Sequence, residues 1–465
     1  MLKLSDIVAK LHARFVARRT ERFRESCCTM HRCVGRHEWL MSVSFLTVVL
    51  GFGLSEPALS QSSKAKTKGK SSAKAELSDD LAKYVAPLTG EESPIASNKT
   101  ITVYLNSGKV LTDMTVTEAL LGTGDESLKF LSVADADGKK KQKLAAALIG
   151  RIHSGEHDYD LVFDPGKKGP VLIDVTTRDA DVNERLKSHG QRIWPEQTDE
   201  ERAKTIADYK DFLKRVQANY QFPTQLHETQ FFLFLTDLPA NQVGQQVANL
   251  DSMYAKLCDL FGVPKTKNLF LGKCIIVAFA TEESFLGFEL KFLDNPKAKG
   301  AQGLSHGSSD GRQIIACYRG GGDAAAFGAL LVHETTHSFA HRFRSNAVYP
   351  KWIGEGLADW IAYAVVPRKY AVDRQKKSVE RVQKSGSLGG NFLDQNAMLE
   401  DWQYDMGSHL INYLVQLDPG RFRAFLINIK EGDTPEEALG RSYGLTYPEL
   451  LTQYGRSIGV AKLQP

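Results

Sequence analysis

The chain has 465 residues, 59 Lys+Arg against 55 Asp+Glu, and a formal net charge of +4. Nine of those basic and five of those acidic residues stand in the first sixty positions, which leaves 50 of each sign in the rest; the positive excess belongs to the N-terminal segment, and nucleic-acid binding gains no support from it. Of the six cysteines, Cys27, Cys28 and Cys33 lie in that same segment, and Cys258, Cys274 and Cys317 form an odd, sparse set in apolar surroundings that reads as buried thiols rather than a disulfide framework.

Residues 1–60 read as a secretory signal peptide with an overlong basic region. Arg14, Arg18, Arg19, Arg22, Arg24, Arg32 and Arg36 precede an apolar run from Leu40 to Leu54, and Ala58-Leu59-Ser60 offers small residues for cleavage before Gln61. The run is short for a membrane span of about 20 residues. The alternative is an uncleaved N-terminal anchor, and Met30 is an alternative start. Both readings export the chain, as a periplasmic or secreted protein or an anchored one, with any membrane contact confined to this segment. Residues 61–95, rich in Ser, Ala and Lys with Pro87 and Pro94, read as a flexible linker.

From 96 to 180, apolar and polar residues alternate between turns, as in Ile101-Thr102-Val103-Tyr104-Leu105 followed by Asn106-Ser107-Gly108. This predicts a small β-rich, barrel-like module. Within it His153-Ser154-Gly155-Glu156-His157 matches an inverted zinc-binding pattern, but Gly155 and the flanking alternation predict a β-hairpin, where these side chains do not share one helical face. Residues 181–222, highly charged and with helical periodicity, read as a connecting helix. From 223 to 465 the pattern changes: Phe231–Leu235, Lys273–Phe279 and Arg312–Tyr318 are strand-like, and Val243, Val247, Leu250, Tyr254, Leu257 and Phe261 mark one face of a helix. The fold class is α+β, a small β-rich N-terminal module followed by a mixed-sheet domain with a helical C-terminal part.

The residues with chemistry stand in that second part. Asp323 after Gly320-Gly321-Gly322 predicts the cap of a helix that carries His333-Glu334-Thr335-Thr336-His337. Positions i and i+4 share a helical face, so the two imidazoles can grip one metal ion with Glu334 turned to the same place. After seventeen intervening residues, Glu355 and Asp359 stand four apart on a second predicted helix, 355 to about 366, and face one way. His341 continues the motif's face, and Ala340 and Phe343 occupy the positions where a metzincin needs Gly and His.

This arrangement resembles the gluzincin zinc metallopeptidases, the thermolysin-like and aminopeptidase-like clan. The resemblance implies one Zn2+ per chain held by His333, His337 and Glu355, with Glu334 as general base and Asp359 orienting a ligating imidazole, most naturally His333. It implies an edge strand that pairs with extended substrate, assigned to Arg312, Gln313, Ile314, Ile315, Ala316, Cys317 and Tyr318. It also implies a donor to the oxyanion, with Tyr404 and His409 as the candidates. The run Gly-x-Met-Glu-Asn by which aminopeptidases of the clan read a free amine is absent, which favours an endopeptidase acting on a peptide or protein substrate. The alternative is a catalytically degenerate zinc-binding protein whose β module recognises a surface.

Overall fold

The computed structural model describes residues 79–107, 109–122, 127–164, 169–220 and 224–465. The expected signal peptide or anchor, with residues 61–78 of the expected linker, lies outside the described residues. The described chain is mixed α and β and divides into two compact units that meet in sequence at Thr177–Arg178.

The first unit is a seven-stranded antiparallel sheet, with β1 (Thr100–Leu105), β2 (Val110–Leu121), β3 (Leu128–Ala134), β4 (Lys141–Ala145), β5 (Ile149–Ser154), β6 (His157–Asp164) and β7 (Gly169–Asp174) in the order β4-β3-β2-β1-β5-β6-β7. Alternation does what the sequence predicts: Ile101 and Val103 are buried while Tyr104 is exposed. Leu144 of β4 and Leu172 of β7, from opposite ends of the strand order, join one apolar cluster, so the sheet curls over a single core. Residues 79–95, expected to belong to a flexible linker, instead pack on this unit. Ile95 and Leu88 enter its core, Tyr84 packs on Val171 and Ile173, and Val85 bridges to Ile173. The His153–His157 segment is the predicted hairpin: Ser154 pairs with His157 across a turn in which Gly155 has φ 63°, and the two rings engage different carboxylates, Asp158 and Asp174.

The second unit contains α1 (Val175–Lys187) almost entirely, then α2 (Asp199–Gln217), β8 (Gln225–Glu228), β9 (Phe232–Thr236), α3 (Ala240–Phe261), β10 (Cys274–Phe279), α4 (Glu282–Leu293), β11 (Gly303–Gly307), β12 (Gln313–Tyr318) and α5 (Ala324–Arg342). The helices α6 (Lys351–Val365), α7 (Lys369–Ser385), α8 (Asp401–Leu417), α9 (Pro419–Lys430), α10 (Pro435–Tyr443) and α11 (Tyr447–Ser457) complete it. Its sheet runs β11-β12-β10-β9-β8, with β9, β10 and β12 parallel and the outer pair antiparallel to their neighbours. Phe232–Thr236 and Cys274–Phe279 are buried at every position because both sheet faces are covered. Alternate residues feed two cores. Phe232, Phe234, Ile276 and Ala278 join the α3, α5 and C-terminal helix side; Leu233, Leu235, Ile275 and Val277 join α2 and α4.

Two expectations change here. The connecting helix of 181–222 is two helices, and Tyr209, Leu213 and Val216 of α2 belong to the core of the second unit rather than to a spacer. The strand expected at the sheet edge, Arg312–Tyr318, is interior: Gln313–Tyr318 pairs with β10 on one side and β11 on the other. The edge is Gly303–Gly307, whose sequence Gly-Leu-Ser-His-Gly lacks the apolar alternation that marks a strand. Cys258, Cys274 and Cys317 are free and buried, as expected.

Helices α6 and α8 touch through their backbones. A Cβ on Gly356 would stand 2.5 Å from the Gly407 carbonyl carbon, and one on Gly407 would stand 2.7 Å from the Trp352 carbonyl oxygen. Gly356→Ala or Gly407→Ala therefore forces two rigid elements apart, and each is expected to destabilise the protein by about 1–3 kcal/mol. Urea unfolding checks this; a loss below about 0.5 kcal/mol in both would mean the helices separate freely.

Candidate metal centre

Local structure places the motif as predicted. Asp323 caps α5 by accepting a bond from the Ala326 N–H, and the helix runs unbroken through His337. It puts the rings of His333 and His337 one turn apart, with centroids 4.9 Å from each other. Helix α6 starts at Lys351, four residues before the predicted boundary, and carries Glu355 and Asp359 on successive turns of one face.

The donor atoms converge. His333 Nε2 and His337 Nε2 are 3.2 Å apart, and Glu355 Oε2 lies 3.4 Å from the first and 3.3 Å from the second. Ligands at about 2.0–2.2 Å from a tetrahedral zinc ion are about 3.4 Å from one another, so three sides of that figure are already set. This is the one His/Cys/Asp/Glu cluster of such geometry among the described residues. His333 Nδ1 lies 2.8 Å from Asp359 Oδ1. The carboxylate accepts there, which puts a hydrogen on Nδ1 and turns Nε2 towards the cluster.

Electrostatics follow from burial and pairing. Burial works against the charge of Glu355, but His337 and His333 overcome it and hold the carboxyl well below its usual range. Burial lowers the proton affinity of His333, yet Asp359 and Glu355 together drive it well above the ordinary value. Glu334 moves the other way: burial lifts its carboxyl above the usual range against the pull of His333 and His337.

Strand β11 lies close along the side chains of α5. A Cβ on Gly303 would come within 3.1 Å of Glu334 Cγ, and one on Gly307 within 3.1 Å of the His341 ring; between them Ser305 Oγ is 2.9 Å from Ser338 Oγ. A side chain at either end would press on Glu334 or the His341 ring, which would have to give way by a few tenths of an ångström. The Gly-x-x-x-Gly spacing was the available sequence signal for an element that sequence reading missed. His341 itself is outside the cluster, with Nδ1 2.9 Å from the Gln313 amide and its ring against Trp194; burial, with Lys430 and Arg342 nearby, lowers its pKa to about 4.

The two oxyanion candidates part company. Tyr404 stands half-buried in the first turn of α8, the helix that meets α6 at Gly356, next to Glu355. His409 has Nδ1 2.8 Å from the Tyr454 hydroxyl, and it lines a cavity of about 580 Å3 between α7, α8 and α11 whose walls contain none of the cluster residues.

Asp359→Ala leaves all three donor atoms in place but frees the His333 ring. Zinc affinity, read by competition with a chromophoric chelator, is expected to fall about 10–100-fold; an unchanged affinity would mean that the 2.8 Å contact does not orient the ring. No family model matches the chain, and no curated protein matches it.

Proposed function

We propose that the chain is an exported zinc-dependent metallopeptidase of the gluzincin type, hydrolysing peptide bonds in a peptide or protein substrate. The observation that carries the reading is the triangle of His333, His337 and Glu355 donor atoms, with the Asp359 partner behind it and Glu334 beside it on the same helix. Those three residues would hold one Zn2+. When bound, it would act as a Lewis acid on the scissile carbonyl and make water more acidic.

The chain's own residues supply the rest. The Glu334 carboxylate takes a proton from the attacking water and returns it to the leaving amine, and burial, by raising its proton affinity, suits it to that exchange at neutral pH. Tyr404 is assigned the oxyanion donor, since the bond of His409 to Tyr454 engages the alternative. The substrate backbone is assigned to β11, the open edge beside Glu334, in place of the interior β12. The basic stretch and apolar run of residues 14–54 support export, by cleavage or as an anchor.

Two substitutions test the reading. Glu334→Gln should retain about one zinc per chain, measured by atomic absorption, while peptide hydrolysis falls by at least about 10²–10⁴-fold, the share of proton transfer. Retained hydrolysis would remove the general-base role, and loss of zinc would make Glu334 a ligand. Tyr404→Phe should lower kcat about 10²–10³-fold at near-constant KM and zinc content. A rate within twofold of wild type would take the oxyanion role from Tyr404.

A further inference from the structure

Strand β11 is braced on both faces and, among the described residues, open along its edge. Side chains alternate in a strand: Gly303, Ser305 and Gly307 face α5, while Leu304 and His306 face α4. Tyr318 N–H donates to the Gln302 carbonyl and Ser308 N–H donates to the Arg312 carbonyl, each at 3.0 Å. In an antiparallel ladder these bonds fix the phase, so residues 302, 304, 306 and 308 bond inward to β12, whereas Gly303, Ser305 and Gly307 direct their N–H and C=O outward. A peptide laid along that edge places one of its side chains directly opposite His306, on the α4 face, with Cβ atoms about 4.5–5.5 Å apart.

His306 is built to face that side chain. Its Nε2 lies 2.9 Å from Oε1 of Glu289, a residue of α4 that is 0% exposed, and the other carboxylate oxygen accepts from Asn295 Nδ2 at 2.7 Å. The imidazole, 30% exposed, is the hydrogen-bond partner of that buried carboxylate. With the Glu289 oxygen accepting, Nε2 carries the hydrogen and Nδ1 is left as the ring's other polar atom. Ser305 and Leu304 already anchor the strand to α5 and to the core. A carboxylate sunk fully into α4 to fix a ring at the open edge adds orientation rather than strand stability. His306 also lies near enough to Glu334 to act electrostatically on that carboxyl.

We infer that His306, oriented by Glu289, is a specificity-determining residue for one substrate position on the α4 side of the edge, selecting a side chain that hydrogen-bonds to imidazole Nδ1. This rests on the peptidase reading. The test profiles a mixed-sequence peptide library in two ways: by cleavage with the zinc-loaded wild type, and by capture on the zinc-loaded Glu334→Gln protein. Each is repeated with Glu289→Met/His306→Phe, which replaces the pair by apolar groups instead of stranding a buried carboxylate. His306→Phe alone gives the same readout should the double substitution fail to fold. At one position the preference for Ser, Thr or Asn over Ala is expected to fall about five- to tenfold, the worth of one hydrogen bond, with the preferences at other positions unchanged. An unaltered profile, or an equal loss at every position, overturns the role of His306 and leaves the peptidase reading standing. A wild-type protein that neither cleaves nor captures any peptide overturns both.

Discussion

Everything at the centre depends on Glu355 reaching two imidazoles on another helix. Bringing a carboxylate into a half-buried site is unfavourable unless positive or hydrogen-bearing partners meet it, and His333 and His337 do so at 3.3–3.4 Å. That closeness requires α5 and α6 to be fixed in depth as well as direction. Glycines do this on both sides: α8 touches α6 backbone to backbone at Gly356 and Gly407, and β11 touches α5 at Gly303 and Gly307. The donor triangle is thus held between a backbone contact of α6 with α8 and the close seating of β11 on the side chains of α5.

The far end of the motif helix is held by a different device. Lys430, buried in α9, donates to the Ala347 carbonyl at 2.6 Å and lies 3.5 Å from that of His341, in the last turn of α5. Burial, with Arg342 nearby, lowers its pKa to about 7. The next residue, Glu431, accepts from Arg178 and Arg344, and Arg344 also pairs with Asp179. Helix α1 is tied in this way to the loop that leads from α5 to α6. Charges removed from water here are matched pairwise or by carbonyl groups, as buried charges must be.

Much of the candidate centre was legible in the sequence because its spacings are helical. His333 and His337, and then Glu355 and Asp359, each stand four apart, and a helix turns that interval into a shared face whatever the tertiary context. Asp323 as cap and Gly155 as a hairpin turn were legible for the same reason, since each is a local backbone requirement. The sheet edge was not. Gly303-Leu304-Ser305-His306-Gly307 becomes a strand because β12 pairs with it and α5 accepts its bare backbone, and neither fact is written in the five residues themselves. Residues 79–95 were misread likewise: Pro87, Pro94 and the polar composition suggest a tether, while Tyr84, Leu88 and Ile95 find an apolar surface distant in sequence.

An unpaired strand edge is a template for any neighbouring chain, and proteins that keep one open must make it a poor partner for their own copies. Five residues long, with glycine at both ends, β11 offers outward hydrogen bonds at Gly303, Ser305 and Gly307 and almost no apolar area to reinforce them. Two such edges meeting in solution would gain few bonds and little burial. The brevity of the strand is then a guard against self-association, since an edge this short can hold only a segment that other contacts also hold in place.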